Sequence, residues 1–193
     1  IAAMLAQQHI PCRSIDNDPI HAGGWAEDIL NDVCFSSLMA DANAGVFSAI
    51  HAAPPYSTSS VARLYDPPDG KPGPPPVRTR DFPDGLPVDS LPASYAAELC
   101  KANETYRRTC ILLAATFDQG THISLEQPAD RSDPTSPLFT HHQHGSFWQT
   151  SWYLSLAEHI SARTVTFALY MLGADRPKYT TIAYSAKLHP TLG

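Results

Sequence analysis

Residues 163–185, RTVTFALYMLGADRPKYTTIAYS, decide how this chain folds. The runs 163–171 (RTVTFALYM) and 179–185 (YTTIAYS) are rich in β-branched and aromatic residues, so both predict strands. Only a short turn around Gly173 and Pro177 joins them. A parallel crossover needs a dozen residues or more, so this link makes the two strands an antiparallel pair.

Upstream of that pair, short apolar runs alternate with helix-like stretches, the pattern of βα units on a mostly parallel sheet. Residues 121–125 (THISL) predict a strand ending at Glu126-Gln127-Pro128. Residues 46–52 (VFSAIHA) are nearly all apolar or small, as a strand covered on both faces should be. Residues 11–15 (PCRSI) predict a short strand leading to Asp16-Asn17-Asp18. Helices are predicted over 31–44, where Gly45 is a C-cap, over 94–119, where Gly120 ends the stripe Leu99, Ala102, Tyr106, Cys110, Leu113 and Phe117, and over 150–160. Residues 1–9 (IAAMLAQQH) read as the second half of a helix. Together these describe one doubly wound α/β domain over 1–193, taken as a fragment that lacks its first strand.

A chain of 193 residues with 43% hydrophobic and 17% charged residues can bury one core. No apolar run approaches the roughly 18 residues of a membrane helix, and no charged region precedes an apolar one as in a signal peptide. A net charge of −6 gives no broad electrostatic reason to bind nucleic acid. Cys12, Cys34, Cys100 and Cys110 form no Cys-x-x-Cys pair and read as buried, reduced thiols of an intracellular protein. Of 18 prolines, 11 lie between 54 and 92, so that segment is a long loop, functional or disordered.

In open α/β sheets a ligand sits beyond the carboxyl ends of the strands. Asp16, Asp28, Pro54-Pro55-Tyr56 and Glu126 all fall on predicted strand exits or the connections after them. Asp16 suits ribose hydroxyls, or a plain loop or N-cap; Asp28 suits an adenine amino group, or the cap of the helix after it. Arg63, Arg78 and Arg80 suit phosphates, or a solvated loop. His141-His142-Gln143-His144 has no accompanying Cys or carboxylate cluster, so it reads as a solvated loop and not a metal site. Tyr95, Tyr106, Trp148 and Trp152 read as core residues.

The ordered series Asp16-Asn17, Glu27-Asp28-Ile29, Ala53-Pro54-Pro55-Tyr56-Ser57, Leu125-Glu126-Gln127-Pro128 and Lys178-Tyr179-Thr180-Thr181 resembles the motifs of cytosine-5 DNA methyltransferases. The resemblance covers most of the chain. It implies a Rossmann-like methyltransferase fold, a mostly parallel sheet with a terminal antiparallel pair. It also implies S-adenosyl-L-methionine as cofactor, held by Asp16, Asn17, Asp28 and Ile29, and DNA as a candidate partner. Glu126 would contact a flipped cytosine; Pro54, Pro55, Ser57, Arg63, Arg78, Arg80, Gln127 and Pro128 would face the substrate. The glycine loop of that family would precede Ile1, so cofactor affinity is expected to be weak.

Two departures bear on chemistry. Tyr56 stands where the resemblance calls for Cys, and Gln127 where it calls for Asn. Cytosine-5 methylation needs a thiolate to add to carbon 6, and a phenol of pKa ~10 is mostly protonated at neutral pH. Impaired catalysis is therefore expected at the Tyr56 and Glu126 site. Pro54-Pro55-Tyr56 is also similar to the amino-methyltransferase motif for adenine N6 or cytosine N4, but Ala53 lacks the required acceptor. A third reading is a non-enzymatic pseudoenzyme or mobile-element remnant.

Overall fold

A computed structural model describes residues 11–18, 24–65, 70, 72–173 and 178–186. The helix expected over 1–9 lies outside them. Among the described residues the chain is α/β, with three α-helices and a four-stranded mixed sheet. Helix α1 (Asp32–Asn43) starts where the Asn31 side chain accepts from the amides of Val33 and Cys34, at 2.9 and 3.4 Å. It stops at Gly45, whose φ of +68° suits glycine and whose N–H donates to Ala42. Helix α2 (Ala93–Asp118) begins after Pro92. Its stripe Leu99, Tyr106, Cys110 and Leu113 is buried as the periodicity predicts, while Leu112 on a second face packs against Cys34, Leu38 and Ala42 of α1. Helix α3 (Ser151–His159) is capped by Thr150, whose hydroxyl accepts from the Tyr153 amide at 3.4 Å.

Strand β1 (Ala49–Ala52) pairs in parallel with β2 (His122–Pro128). Strands β3 (Arg163–Ala168) and β4 (Tyr179–Tyr184) form the antiparallel pair expected of their short link. The spatial order is β1-β2-β4-β3, so β4 lies antiparallel between β2 and β3, which run the same way. Three of the four described strands share one direction and β4 alone runs against them. One ladder is parallel and two are antiparallel, because β4 returns into an interior slot and not to an edge.

One sheet face carries Ile50, Ala52, Ile123, Leu125 and Ala183, packed on Tyr106, Leu113, Phe147, Tyr153 and Leu156. Burying such side chains stabilises the layer by about 1.5–3 kcal/mol each. The other face presents His51, Ser124, Glu126, Val165 and Ile182, as strand alternation requires. Strand β1, expected to be covered on both faces, is exposed at Ala49 and His51. The helices α2 and α3 pack on the first face, and α1 extends that layer through α2.

Residues 11–15 are not a strand. Arg13 turns to Glu27 at 3.0 Å and Asp41 at 3.5 Å, and Ile15 packs on the α1–α2 cluster, so the segment lies along the helices instead of joining the sheet. Cys12 and Cys100 are exposed, while Cys34 and Cys110 are buried; the expectation of four buried thiols is corrected, and all four are free. Among the described residues no helix is long and apolar enough to cross a membrane, and no group of three or more side chains could hold a metal ion.

Candidate functional site

Beyond the carboxyl ends of β1 and β2 lies a cleft of about 250 Å³, lined by Tyr56, Ser60, Pro128, Arg131, His144 and Lys178 among others. Local sequence explains its wall. Pro54 and Pro55 have no N–H to continue a ladder, so the chain leaves β1 there. Their carbonyls are then clamped from below: Gln127 Nε2 donates to Pro54, and Tyr106 Oη donates to Pro55 at 2.9 Å. This turns Tyr56 outward, 42% exposed, with the Lys178 ammonium 4.1 Å from its ring centroid. Across the cleft the Arg131 guanidinium lies over the Tyr179 ring at 5.1 Å. Among the described residues the lining holds two cations, Lys178 and Arg131, and the nearest carboxylate, Asp130, stands behind His144.

The back of the cleft is a fixed polar network. His144, 2% exposed, is within 2.9 Å of the Ser59 carbonyl through Nε2. Its Nδ1 faces both the Arg131 amide at 3.1 Å and the Asp130 carboxylate at 3.6 Å. Burial alone would raise the Asp130 carboxyl, but the adjacent His144 ring and the hydrogen bonds donated by Ser132 and Gln149 outweigh it and hold it down at about 2. Trp148 Nε1 donates to the Pro128 carbonyl at 2.7 Å and fixes the opposite wall.

The sequence-derived candidates distribute unevenly. Tyr56 and Pro128 line the cleft, while Pro54 and Pro55 do not and instead lead the chain into Tyr56. Glu126 does not line it. Strand β2 runs on through Pro128, so Glu126 lies within the strand on the open face, its Oε2 3.7 Å from His51 Nε2. His51 Nδ1 is 3.0 Å from Ser124 Oγ. Burial lowers the His51 imidazole below its usual range, and Glu126 partly opposes that shift.

Gln127 points inward, 2% exposed, and its Oε1 has no partner. Ser57 donates to Glu98 at 3.1 Å. Arg63 donates to the Ser57 and Pro75 carbonyls and pairs with Glu98. Arg78 is 2% exposed; it donates to Thr58, Pro83 and Asn103, lies 5.1 Å over the Tyr106 ring, and burial lowers its pKa. Arg80 is exposed and donates to the Ser132 carbonyl at 3.3 Å.

The four residues expected to hold a cofactor gather ahead of α1. Asp16 and Asn17 are exposed, and Asp16 accepts from the Asp18 amide at 3.0 Å. Asp28 is 6% exposed and accepts from the Leu30 amide at 2.8 Å, closing a turn ahead of α1; it does not cap that helix, a role held by Asn31. The Ile29 carbonyl accepts from Arg108 at 3.2 Å. Asp28 is buried, and one of its carboxylate oxygens accepts from the turn it closes.

The sequence motifs include Lys178 without giving it a site role, and they do not reach Arg131. The available signal was a cation beside a tyrosine at the start of the last strand, but its ring partner Tyr56 is set by tertiary packing. No cysteine lines the cleft; burial pushes the Cys110 thiol up to about 12 and leaves it inert. No protein-family model, curated protein or solved structure matches the chain.

Proposed function

We propose that this chain is a DNA methyltransferase-like domain of the cytosine-5 kind, with a cleft that binds a nucleic-acid base and without the groups for methyl transfer. The observation that carries this reading is Tyr56, at the motif position of the nucleophile, opening into a cleft lined by Lys178 and Arg131. The sheet supports it. A parallel pair joined through a helix, followed by an antiparallel strand placed between the last two parallel ones, suits one half of a doubly wound methyltransferase sheet. The helices on a single face fit the same half.

In this reading the Tyr56 ring stacks on a base, while Lys178 and Arg131 meet its oxygen acceptors or a neighbouring phosphate. The covalent route to carbon 5 is not served, because no thiol lines the cleft and Glu126 faces His51 instead. The amino-methyltransferase alternative gains nothing from Ala53, which offers no acceptor.

Two measurements test the reading. Fluorescence anisotropy with a cytosine-containing oligonucleotide should show binding that Tyr56→Ala and Lys178→Ala each weaken. A filter assay with tritium-labelled S-adenosyl-L-methionine should show no label transferred to DNA. Loss of neither affinity sinks the cleft assignment, and label incorporation by the unaltered chain sinks the impairment.

A further inference from the structure

We propose that Tyr65, His141 and His142 form a stacking platform for an unpaired nucleobase of a single strand whose neighbouring nucleotide occupies the cleft. This rests on the nucleic-acid reading of that cleft. The His141 and His142 rings are stacked at 5.2 Å with planes 9° apart, and Tyr65 meets His141 edge-on at 6.2 Å. Tyr65 is 49% exposed and His142 is exposed, so ring surface faces water.

A solvated loop would leave such rings free to turn, and here the turn beneath them is tied down. The amides of Thr140 and His141 both donate to the Arg131 carbonyl, at 3.0 and 3.2 Å. The Gln143 amide donates to His141 Nδ1 at 3.2 Å, which fixes that ring, and Tyr65 Oη donates to the Thr140 carbonyl at 3.4 Å. The Arg80 amide donates to the Gln143 carbonyl at 3.2 Å, bringing an exposed guanidinium-bearing residue to the same turn. Arg131 belongs to both features: it lines the cleft and its carbonyl holds the platform.

Chemistry selects the occupant. Exposed rings held in place offer a π-face without an ordering penalty, and every base has a π-face to match. Arg80 and Arg131 are tied to the turn through their backbones, and their side chains donate to the Ser132 and Leu138 carbonyls, so cations stand near the platform for phosphates. A base inside a duplex is already stacked on both sides, so the platform takes single-stranded nucleic acid.

The test is anisotropy with one labelled pyrimidine oligonucleotide, presented single-stranded and as a duplex. His142→Ala and Tyr65→Ala should each weaken single-strand binding about 5-fold or more, from stacking worth about 1 kcal/mol or more per base. Duplex binding should not change, and His142→Phe and Tyr65→Phe should keep the affinity, since a ring and not a polar atom is required. Thermal melts followed by circular dichroism show that each variant is folded; His142, exposed, carries the test if Tyr65→Ala melts early.

Unchanged single-strand affinity in both alanine variants, with Lys178→Ala still weakening binding, overturns the platform and leaves the cleft standing. Equal losses on single strand and duplex overturn stacking in favour of phosphate contacts. A chain that binds neither form overturns the platform together with the cleft reading.

Discussion

The exit of β1 and the entry to α1 both carry motif residues, yet the structure treats them in opposite ways. At the β1 exit, the Pro54 and Pro55 carbonyls are occupied by Gln127 and Tyr106, and that leaves the Tyr56 ring outside, facing a cleft. Ahead of α1, Asp28 is drawn inward and its carboxylate closes on the Leu30 amide. The lesson concerns satisfaction of polar groups. A motif residue can serve a ligand only when the backbone around it finds its hydrogen bonds elsewhere, and a short Asp beside a helix start readily closes a turn instead.

The comparison breaks most sharply at Gly145. A Cβ there would sit 2.7 Å from both Arg78 Cβ and the Thr79 nitrogen, backbone included. Gly145→Ala should cost about 3 kcal/mol in urea unfolding, with oligonucleotide affinity lost alongside, because the cleft's back wall moves. A shift below about 1 kcal/mol would show that this wall is loosely packed.

Next comes Asp130. Its folded-state pKa is depressed, so its stabilisation is present above the unfolded value near 4 and is lost as pH falls toward about 2. Asp130→Asn should lower stability by about 2 kcal/mol at pH 7 and flatten the dependence between about pH 4 and pH 2. Equal slopes for the two proteins would remove the network from the account.

Asp28→Ala probes the other region. Loss of its hydrogen bond to the turn should cost about 1 kcal/mol, with oligonucleotide binding unchanged. A fall in affinity without a fall in stability would return Asp28 to the site.

The smallest effect is expected on the open face. The His51 imidazole is depressed by burial, so its neutral form is favoured in the fold and that contribution fades as pH drops below about 6.5. His51→Gln should shrink the melting-temperature difference between pH 7 and pH 5 by a few degrees or less. A larger acid sensitivity in the variant would reverse the sign assigned here.

Helices were the most legible elements. The stretches 31–44, 94–119 and 150–160 appear within two residues at each end, since capping by Asn31 and Thr150 and the apolar stripe of α2 are local signals. The final hairpin was equally plain from its link length. Strand β2 was read three residues short: Glu126, Gln127 and Pro128 find partners in Ile182, Thr181 and Thr180, far away in sequence. That extension is why Glu126 lies inside a strand and not past its end. Residues 11–15 went the other way, since their β-like composition yields to Arg13 and Ile15 contacts with the helices. Of the candidate site, the Tyr56 wall was legible, while Lys178 and Arg131 depended on where distant segments meet.

The last of the described strands in chain order, β4, fills the middle of the sheet. Until residues 179–184 arrive, β2 and β3 are separated by a gap one strand wide, and β3 has no ladder partner. Assembly therefore waits for the end of translation of this segment, and any nascent or cleaved product stopping before Tyr179 presents two unpaired strand edges at once. Unpaired edges of that kind template pairing with other chains, so β4 is the strand that closes the sheet against such contacts.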